Sequence, residues 1–237
     1  MNSTSEVGRY DKEEIKDIYE EFYESEDFIR FPVADWRFVK ALAIKYRIKK
    51  GVSVLDIACG TGKFSNYLNR CEADVTGIDI SQNAIEIASQ KYPDIDFVVG
   101  DAMNLPFPKK NFEIVFCHGF SLFNEPDLES TRYYMEMIAE YLAEEGLFVF
   151  GKTSSLTDEM AENKSRMDHS VDTFVDFFSS LNDFEVIGTH ATIPHVFIPL
   201  GRLGFSNIVT SISTSLATRL NFPLRVYIVL RRLETNE

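Results

Sequence analysis

A strand that runs into a glycine-rich turn and then into a helix most constrains the fold of this 237-residue chain. Residues 52–57 read VSVLDI, an apolar run typical of a strand that is buried on both faces. The turn after it contains Gly60 and Gly62, and residues 63–70 have helical character. Glycines in such a turn permit tight backbone conformations and a close approach of ligand to backbone. The segment therefore predicts an α/β fold with a ligand at the carboxyl end of this strand.

The chain beyond this segment alternates strands with helices. Further strands are predicted at 73–79, 95–99, 112–117, 147–152, 184–190 and 225–232, and helices at 82–91, 127–143 and 170–181. Ser81 is expected to cap the first of these helices, and Gly146 to end the second. The alternation predicts a mostly parallel sheet with helices on both faces.

Two additions to the alternating core are predicted. The apolar spacing indicates helices near 11–29 and 34–47, before the first strand. We interpret residues 1–48 as an N-terminal helical cap and 49–237 as the α/β domain. Within that domain, 191–223 forms a long insertion before the last strand, and long connections in compact domains usually have a function.

Composition narrows the classes of partner. The net charge is −13, from 37 acidic and 24 basic residues, so DNA is not an expected partner. No apolar run reaches 18 residues, and the polar, acidic N-terminus is unlike a signal peptide, so we expect a cytoplasmic protein without stable membrane insertion. The three cysteines match no zinc spacing, and no metal is expected.

An acidic residue follows each of the next two strands. Asp79 ends a strand 19 residues after Gly60, where a carboxylate can accept both hydroxyls of a bound ribose. Asp101 follows the third strand, in the run VVGDAM, where a carboxylate can accept an adenine amino group. Together with the glycine turn, these acids predict a nucleoside-containing ligand.

Four ordered segments resemble the class I S-adenosylmethionine-dependent methyltransferase family, and within it the small-molecule methyltransferases with a GDA-x-x-LPFP segment. They read VLDIACGTGKFS, VTGIDIS, VVGDAMNLPFP and FEIVFC, and the similarity covers about residues 50–152. The resemblance implies a Rossmann-like, doubly wound, seven-stranded sheet, mostly parallel with an antiparallel last strand. It also implies S-adenosylmethionine as methyl donor and S-adenosylhomocysteine as product.

The resemblance further implies cofactor-binding residues by position. The loop around the methionine part of the cofactor would be formed by Asp56, Ala58, Cys59, Gly60 and Gly62. The ribose and the adenine would be contacted by Asp79, Ile80, Asp101, Ala102 and Met103. The region near the sulfonium would be lined by Cys117 and His118. Ala58 stands where many family members have a first glycine.

A nicotinamide dehydrogenase is the nearest alternative for a glycine turn followed by an acid. Its fingerprint is G-x-G-x-x-G, whereas here Ser65 stands at the third glycine. The GDA segment has no counterpart in dehydrogenases. The function hypothesis is therefore methyl transfer to a small molecule. A protein or RNA methyltransferase, and a catalytically silent S-adenosylmethionine-binding module, remain the alternatives.

The sequence identifies catalytic and substrate-contacting residues less specifically than cofactor-binding residues. His118 is a candidate general base for an acceptor that must lose a proton, although it could instead contact the cofactor or pack in its loop. His190 and His195 are further candidate bases. Tyr19 and Tyr23 in the first helix, and His195 in the insertion, are candidate substrate contacts.

The segment from Val186 to Leu233 contains no acidic residue and five arginines. We hypothesise that the insertion within it covers the acceptor pocket and favours an apolar or anionic acceptor. The alternatives are contact with a membrane surface, a homodimer interface, and a helix that packs on the edge of the sheet.

Overall fold

The computed structural model describes Lys16 and residues 33–102, 104, 107, 112–125, 127–154, 169–191 and 224–234. Apart from Lys16, the predicted helix at 11–29 lies outside these residues. The insertion does too, except for its first residue, Ala191. All structural statements below refer to the described residues.

Five helices and seven strands form within this part of the chain. The helices are α1 (Val33–Lys45), α2 (Lys63–Asn69), α3 (Gln82–Lys91), α4 (Arg132–Tyr141) and α5 (Val171–Ser179). The strands are β1 (Ser53–Ile57), β2 (Asp74–Asp79), β3 (Asp96–Val99), β4 (Phe112–His118), β5 (Leu142–Ser154), β6 (Phe184–Ala191) and β7 (Leu224–Arg232). Short 3-10 turns at Ser121–Asn124 and Leu128–Thr131 lie between β4 and α4.

The seven strands form one sheet in the order β3-β2-β1-β4-β5-β7-β6. The pairs from β3 to β5 are parallel, and β7 runs antiparallel to both β5 and β6. The predicted fold class is therefore confirmed. The chain winds outward in opposite directions from β1 and β4, which makes the carboxyl ends of these two strands the switch point where such sheets bind ligands.

Most predicted boundaries agree with the structure to within about two residues, and Ser81 caps α3 by accepting a hydrogen bond from the Ala84 N–H at 3.0 Å. The prediction for Gly146 was wrong. Helix α4 ends at Tyr141, and Leu142 already begins β5, where it pairs with Phe112. Leu142 is fully buried, so packing as a strand residue outweighs the helical spacing of the sequence.

Hydrophobic residues pack on both faces of the sheet. On one face, α4 and α5 cover a core that includes Phe123, Phe150 and Phe178. On the other face, α1 and α2 cover a second core that includes Phe116 and Tyr227. The second predicted helix is thus part of the core, because α1 buries three side chains there: Val39, Leu42 and Ala43.

A buried histidine links the end of α1 to the edge strand β6. His190 is 1% exposed, and its Nε2 lies 2.5 Å from the Tyr46 hydroxyl and 3.5 Å from Lys45 Nζ. Burial, reinforced by the charge of Lys45, lowers the pKa of His190 to about 4, and burial raises the pKa of Tyr46 to about 12. A neutral imidazole therefore accepts a hydrogen bond from the tyrosine.

The lowered pKa of His190 predicts that the stability of the fold depends on pH. Because its pKa is lower in the folded state than in the unfolded chain, its contribution is complete above pH 6.5 and is lost as the pH falls towards 4. We expect His190→Gln to reduce the loss of unfolding free energy between pH 7 and pH 5 by about 1–2 kcal/mol, measured by urea denaturation.

Tyr46→Phe serves as the control, because it removes the hydroxyl and keeps the buried histidine. It should lower stability at both pH values and retain the wild-type slope between them. An unchanged slope in His190→Gln would show that this residue does not cause the pH dependence.

Candidate functional site

The loop after β1 folds tightly because three of its residues adopt positive φ angles. These angles are 55° at Ala58, 53° at Gly60 and 76° at Gly62. The Cys59 N–H donates to the Ile78 carbonyl at 3.1 Å, which ties the loop to β2. The Gly62 N–H donates to the Cys59 carbonyl at 3.0 Å and closes the turn ahead of α2. The loop therefore lies directly over the carboxyl ends of β1 and β2.

A glycine is needed at position 62 for two reasons: its φ angle is positive, and there is no space for a side chain. A Cβ atom added there would lie 2.6 Å from Phe97 Cζ in β3 and 3.1 Å from the Ala88 Cβ in α3. The start of α2 can approach its neighbours only without a side chain at this position.

The carboxylate of Asp79 joins two loops. One oxygen accepts a hydrogen bond from the Gly60 N–H at 2.8 Å, and the other accepts one from the Ser81 N–H at 3.0 Å. Asp79 is 7% exposed, so these bonds form in a mostly desolvated site, where bonds to a charged group are strong. The carboxylate consequently fixes the β1 loop against the end of β2.

Asp56 lies beneath the loop and is 1% exposed. Its carboxyl group accepts a hydrogen bond from the Ser65 hydroxyl at 2.5 Å, which ties β1 to the first turn of α2. Burial raises the pKa of Asp56 to about 7, the bonds from Ser65 oppose this, and the charge of Asp79 adds to it. The geometry thus gives Asp56 a supporting position below the loop surface.

The two cysteines of the predicted site are buried thiols. Cys59 is 8% exposed, and Cys117, the penultimate residue of β4, is fully buried. Burial, with the negative charge of Asp56, raises the pKa of both thiols well above the usual value. They are therefore protonated at neutral pH and unsuited to act as nucleophiles.

Three further predicted residues lie at the same edge of the sheet. Ile80, Asp101 and Ala102 follow β2 and β3 and are half-buried. The Gly100 N–H donates to the Asp79 carbonyl at 2.9 Å, which holds the β3 loop beside the β2 loop. The structure thus brings the three predicted loops together at the switch point.

His118 ends β4 on the face covered by α1 and α2. Its ring centroid lies 4.3 Å from that of Phe64 and 5.4 Å from that of Tyr227. In the sheet register His118 is opposite Gly151, and Gly151 is opposite Tyr227, so the two rings meet above the glycine. A Cβ on Gly151 would lie 2.6 Å from His118 Nδ1 and 2.5 Å from Tyr227 Cε1.

A lysine lies on the other face at the same edge. Lys152 Nζ donates to Asn124 Oδ1 at 2.8 Å and lies 4.8 Å from the ring centroid of Phe174 in α5. Sequence reasoning missed Lys152, as it missed Gly151 and Tyr227. The Gly-Lys pair after the apolar run LFVF could have indicated the first two of these residues, because the carboxyl end of a strand lies at the edge of the sheet where ligands bind.

Four predicted site residues, Tyr19, Tyr23, Met103 and His195, lie outside the described residues. Among the residues that are described, no group of three or more His, Cys, Asp or Glu side chains is arranged to hold a metal ion. No helix in this described portion is both long and apolar enough to cross a membrane.

Comparison with known families and proteins identifies related sequences. Residues 54–146 match a family model described as a methyltransferase domain. A demethylmenaquinone methyltransferase of Staphylococcus saprophyticus is 31% identical over 157 residues, which is 62% of this chain and 65% of that protein. The chain spans less than two thirds of the length of this and of the other curated relatives that it matches.

Solved structures share the fold at low identity. Magnesium protoporphyrin IX methyltransferase from Synechocystis, with bound S-adenosylmethionine, gives a TM-score of 0.62 at 15% identity and covers 96% of this chain and 100% of its own. The cyclase SpnF gives a TM-score of 0.63 at 17% identity, with coverages of 90% and 86%. At these identities the likeness shows the fold alone.

The positive φ at Ala58 predicts an unusual response to glycine. A left-handed conformation costs an L-residue about 1–2 kcal/mol, and glycine in the unfolded chain costs about 0.5–1 kcal/mol in entropy. We therefore expect Ala58→Gly to leave the unfolding free energy unchanged or to raise it by up to about 1.5 kcal/mol, measured by chemical denaturation.

The matched control is Ala88→Gly in the middle of α3, where the alanine is fully buried in a regular helix. This control should lose about 1 kcal/mol or more. Equal losses in both variants would contradict the strain at Ala58.

Proposed function

Because the chain belongs to the class I S-adenosylmethionine-dependent methyltransferases, we propose that it transfers the methyl group of S-adenosylmethionine to a small-molecule acceptor and releases S-adenosylhomocysteine. The matched methyltransferase domain and the order of the strands support this function. The observation that carries it is the Asp79 carboxylate, which lies at the switch point with backbone N–H bonds on both of its oxygens.

The residues at the ends of β1 to β3 fit this cofactor. The backbone of the 58–62 loop can approach a ligand closely because Gly60 and Gly62 carry no side chain. In our proposal this loop and the buried thiol of Cys59 surround the methionine part of the cofactor. Asp56 contributes from below by holding the loop to α2 through Ser65.

Asp79 is proposed to hold the ribose. Both of its oxygens accept a backbone N–H, and a carboxylate offers about four lone-pair sites, so the same group can also accept hydrogen bonds from ribose hydroxyls. A hydrogen bond to a charged group contributes about 1.5–3 kcal/mol. The half-buried side chain of Ile80 offers apolar contact to the adenine, and Asp101 with Ala102 offers polar contact to its edge.

When bound, the cofactor supplies an electrophilic methyl group for in-line displacement. The chain's own contribution is to position the acceptor and to exclude water. His118, at the end of β4, is proposed to accept the proton of an acceptor hydroxyl. Its ring packs between Phe64 and Tyr227, which restricts the orientation of the imidazole.

The acceptor is proposed to be a flat aromatic alcohol of the quinol class. The curated relative from Staphylococcus saprophyticus is named a demethylmenaquinone methyltransferase, which supports this class. Aromatic rings already line one side of the β4–β5 edge, and Lys152 presents a cation on the other side. A cation at this edge favours the ionised oxygen of such an acceptor.

A second candidate function is cofactor binding without methyl transfer. The structural similarity to the cyclase SpnF supports this second candidate, because a shared fold does not by itself specify the reaction. The two functions differ in turnover, since only a methyltransferase yields S-adenosylhomocysteine in the presence of its acceptor.

Removing the charge of Asp79 tests the cofactor site. We expect Asp79→Asn to weaken S-adenosylmethionine binding by tenfold or more, equivalent to about 1.4 kcal/mol, in calorimetric titration. Asp74→Asn is the matched control, because Asp74 begins the strand that Asp79 ends and is exposed. The control should bind as wild type does. Wild-type affinity in a folded Asp79→Asn variant would contradict the proposed ribose contact.

A panel of reduced quinols, with naphthoquinols included, tests the acceptor class and the role of His118. We expect His118→Gln to lower kcat on a productive quinol by about 10²-fold or more, with a much smaller effect on the affinity for S-adenosylmethionine. Gly151→Ala should have a similar effect, because the added methyl group displaces the imidazole.

The control for Gly151→Ala is Gly188→Ala, whose Cβ would clash with the Tyr46 hydroxyl and lie 2.9 Å from His190 Nε2, and would not contact His118. It should lower stability and leave kcat intact. Full kcat in His118→Gln would remove the histidine from the mechanism. Cofactor binding without turnover on any acceptor would favour the second function.

A further inference from the structure

Positive charge is concentrated in one part of an otherwise acidic chain. Between Trp36 and Cys71 the sequence has eight of its 24 basic residues and one acidic residue, Asp56, which is buried. The remainder of the chain has 36 acidic and 16 basic residues. The charge is therefore distributed unevenly along the sequence.

Seven of these cations are exposed, and we call them the basic face: Arg37, Lys40, Lys45, Arg47, Lys49, Lys50 and Arg70. Helix α1 turns its apolar side chains towards the sheet. Arg37, Lys40 and Ile44 follow each other at helical spacing on its opposite side. Arg47, Lys49 and Lys50 continue the basic face into the connection to β1.

The indole of Trp36 joins Arg70 to this face. Arg70 Cζ lies 4.0 Å from the ring centroid of Trp36, and Lys40 Nζ lies 5.9 Å from the same centroid. The ring also packs against Tyr67 of α2, with centroids 5.6 Å apart. The C-terminal end of α2 and the outer side of α1 thus present their cations together.

No member of the basic face forms an ion pair with a carboxylate in the structure as described. Elsewhere in the described residues, Arg132 pairs with Glu129 at 2.7 Å and Arg231 with Glu145 at 3.8 Å. Clustered cations without counter-charges repel each other, so an anionic partner gains free energy by relieving that repulsion.

Ile44 is 73% exposed, the largest exposed fraction among the bulky apolar side chains of the described chain, and it follows Lys40 by one helical turn. Anionic lipid headgroups attract clustered basic residues, and an exposed apolar side chain among them can enter the headgroup region. We propose that the basic face docks this protein on a membrane surface that contains anionic lipids, with Ile44 entering the headgroup region.

A membrane accounts for the face better than RNA does. An RNA strand longer than the basic face would extend onto exposed carboxylates of the described surface, such as Glu72 and Asp74, and be repelled there, whereas a bilayer contacts only the face turned towards it. Nucleic acid binding also uses aromatic stacking, and the Trp36 ring is already covered by Arg70. The docking goes beyond the proposed methyl transfer and does not depend on it.

Vesicle co-sedimentation tests the docking. The probes are vesicles of phosphatidylcholine alone and vesicles with 30% phosphatidylglycerol, an amount on the order of that in anionic membranes. We expect the protein to bind at least tenfold more tightly to the anionic vesicles and to dissociate at high salt. Each basic residue near such a surface contributes about fivefold.

The test variant combines Arg37→Gln, Lys40→Gln, Lys49→Gln and Lys50→Gln, which should weaken vesicle binding by more than about a hundredfold. The matched single variants are Lys40→Gln and Lys91→Gln, since Lys91 is an exposed helical lysine on α3. Only Lys40→Gln should weaken binding. Melting temperatures show whether each variant is folded.

Equal binding to both kinds of vesicle, or undiminished binding by a folded quadruple variant, would overturn the proposal. Tighter binding to single-stranded RNA than to anionic vesicles at the same salt would overturn it as well and assign the face to nucleic acid.

Discussion

The carboxylate of Asp79 accepts hydrogen bonds from backbone N–H groups of two loops, and the geometry of the candidate site depends on it. Through Gly60 it holds the β1 loop, and through Ser81 it holds the start of α3. The β3 loop is attached to the same residue through the Gly100 N–H. Because these loops leave different strands, the carboxylate and the backbone carbonyl of this one residue together align the ends of β1, β2 and β3.

The strand register of the sheet positions the other part of the candidate site, around His118. One row of paired residues crosses the four strands β4, β5, β7 and β6. In this row His118 pairs with Gly151, Gly151 with Tyr227, and Tyr227 with His190. The glycine leaves the space in which the His118 and Tyr227 rings meet, and Tyr46 of the α1 C-terminal turn bonds to His190. The N-terminal helix is therefore connected through the row to the residue proposed to contact the acceptor.

Sequence reasoning predicted the sheet, the glycine loop and the acids after β2 and β3. Each of these features depends on a local sequence pattern, such as a buried strand, a turn or a helix cap. It did not predict that Asp56 would be held below the loop by Ser65, nor that Leu142 would leave the helix for β5. Both depend on packing between segments distant in sequence. Gly151, Tyr227 and Lys152 were missed for the same reason, since only the strand register places them beside His118 and Asn124.

Hydrogen exchange with and without S-adenosylhomocysteine tests the central claim, that a cofactor binds across the loops joined by Asp79. We expect slower exchange, on ligand addition, at the backbone N–H groups of 58–62, 80–82 and 100–104, with α5 and β6 unchanged. Absence of protection at saturating ligand, or protection confined to segments away from these three loops, would contradict it.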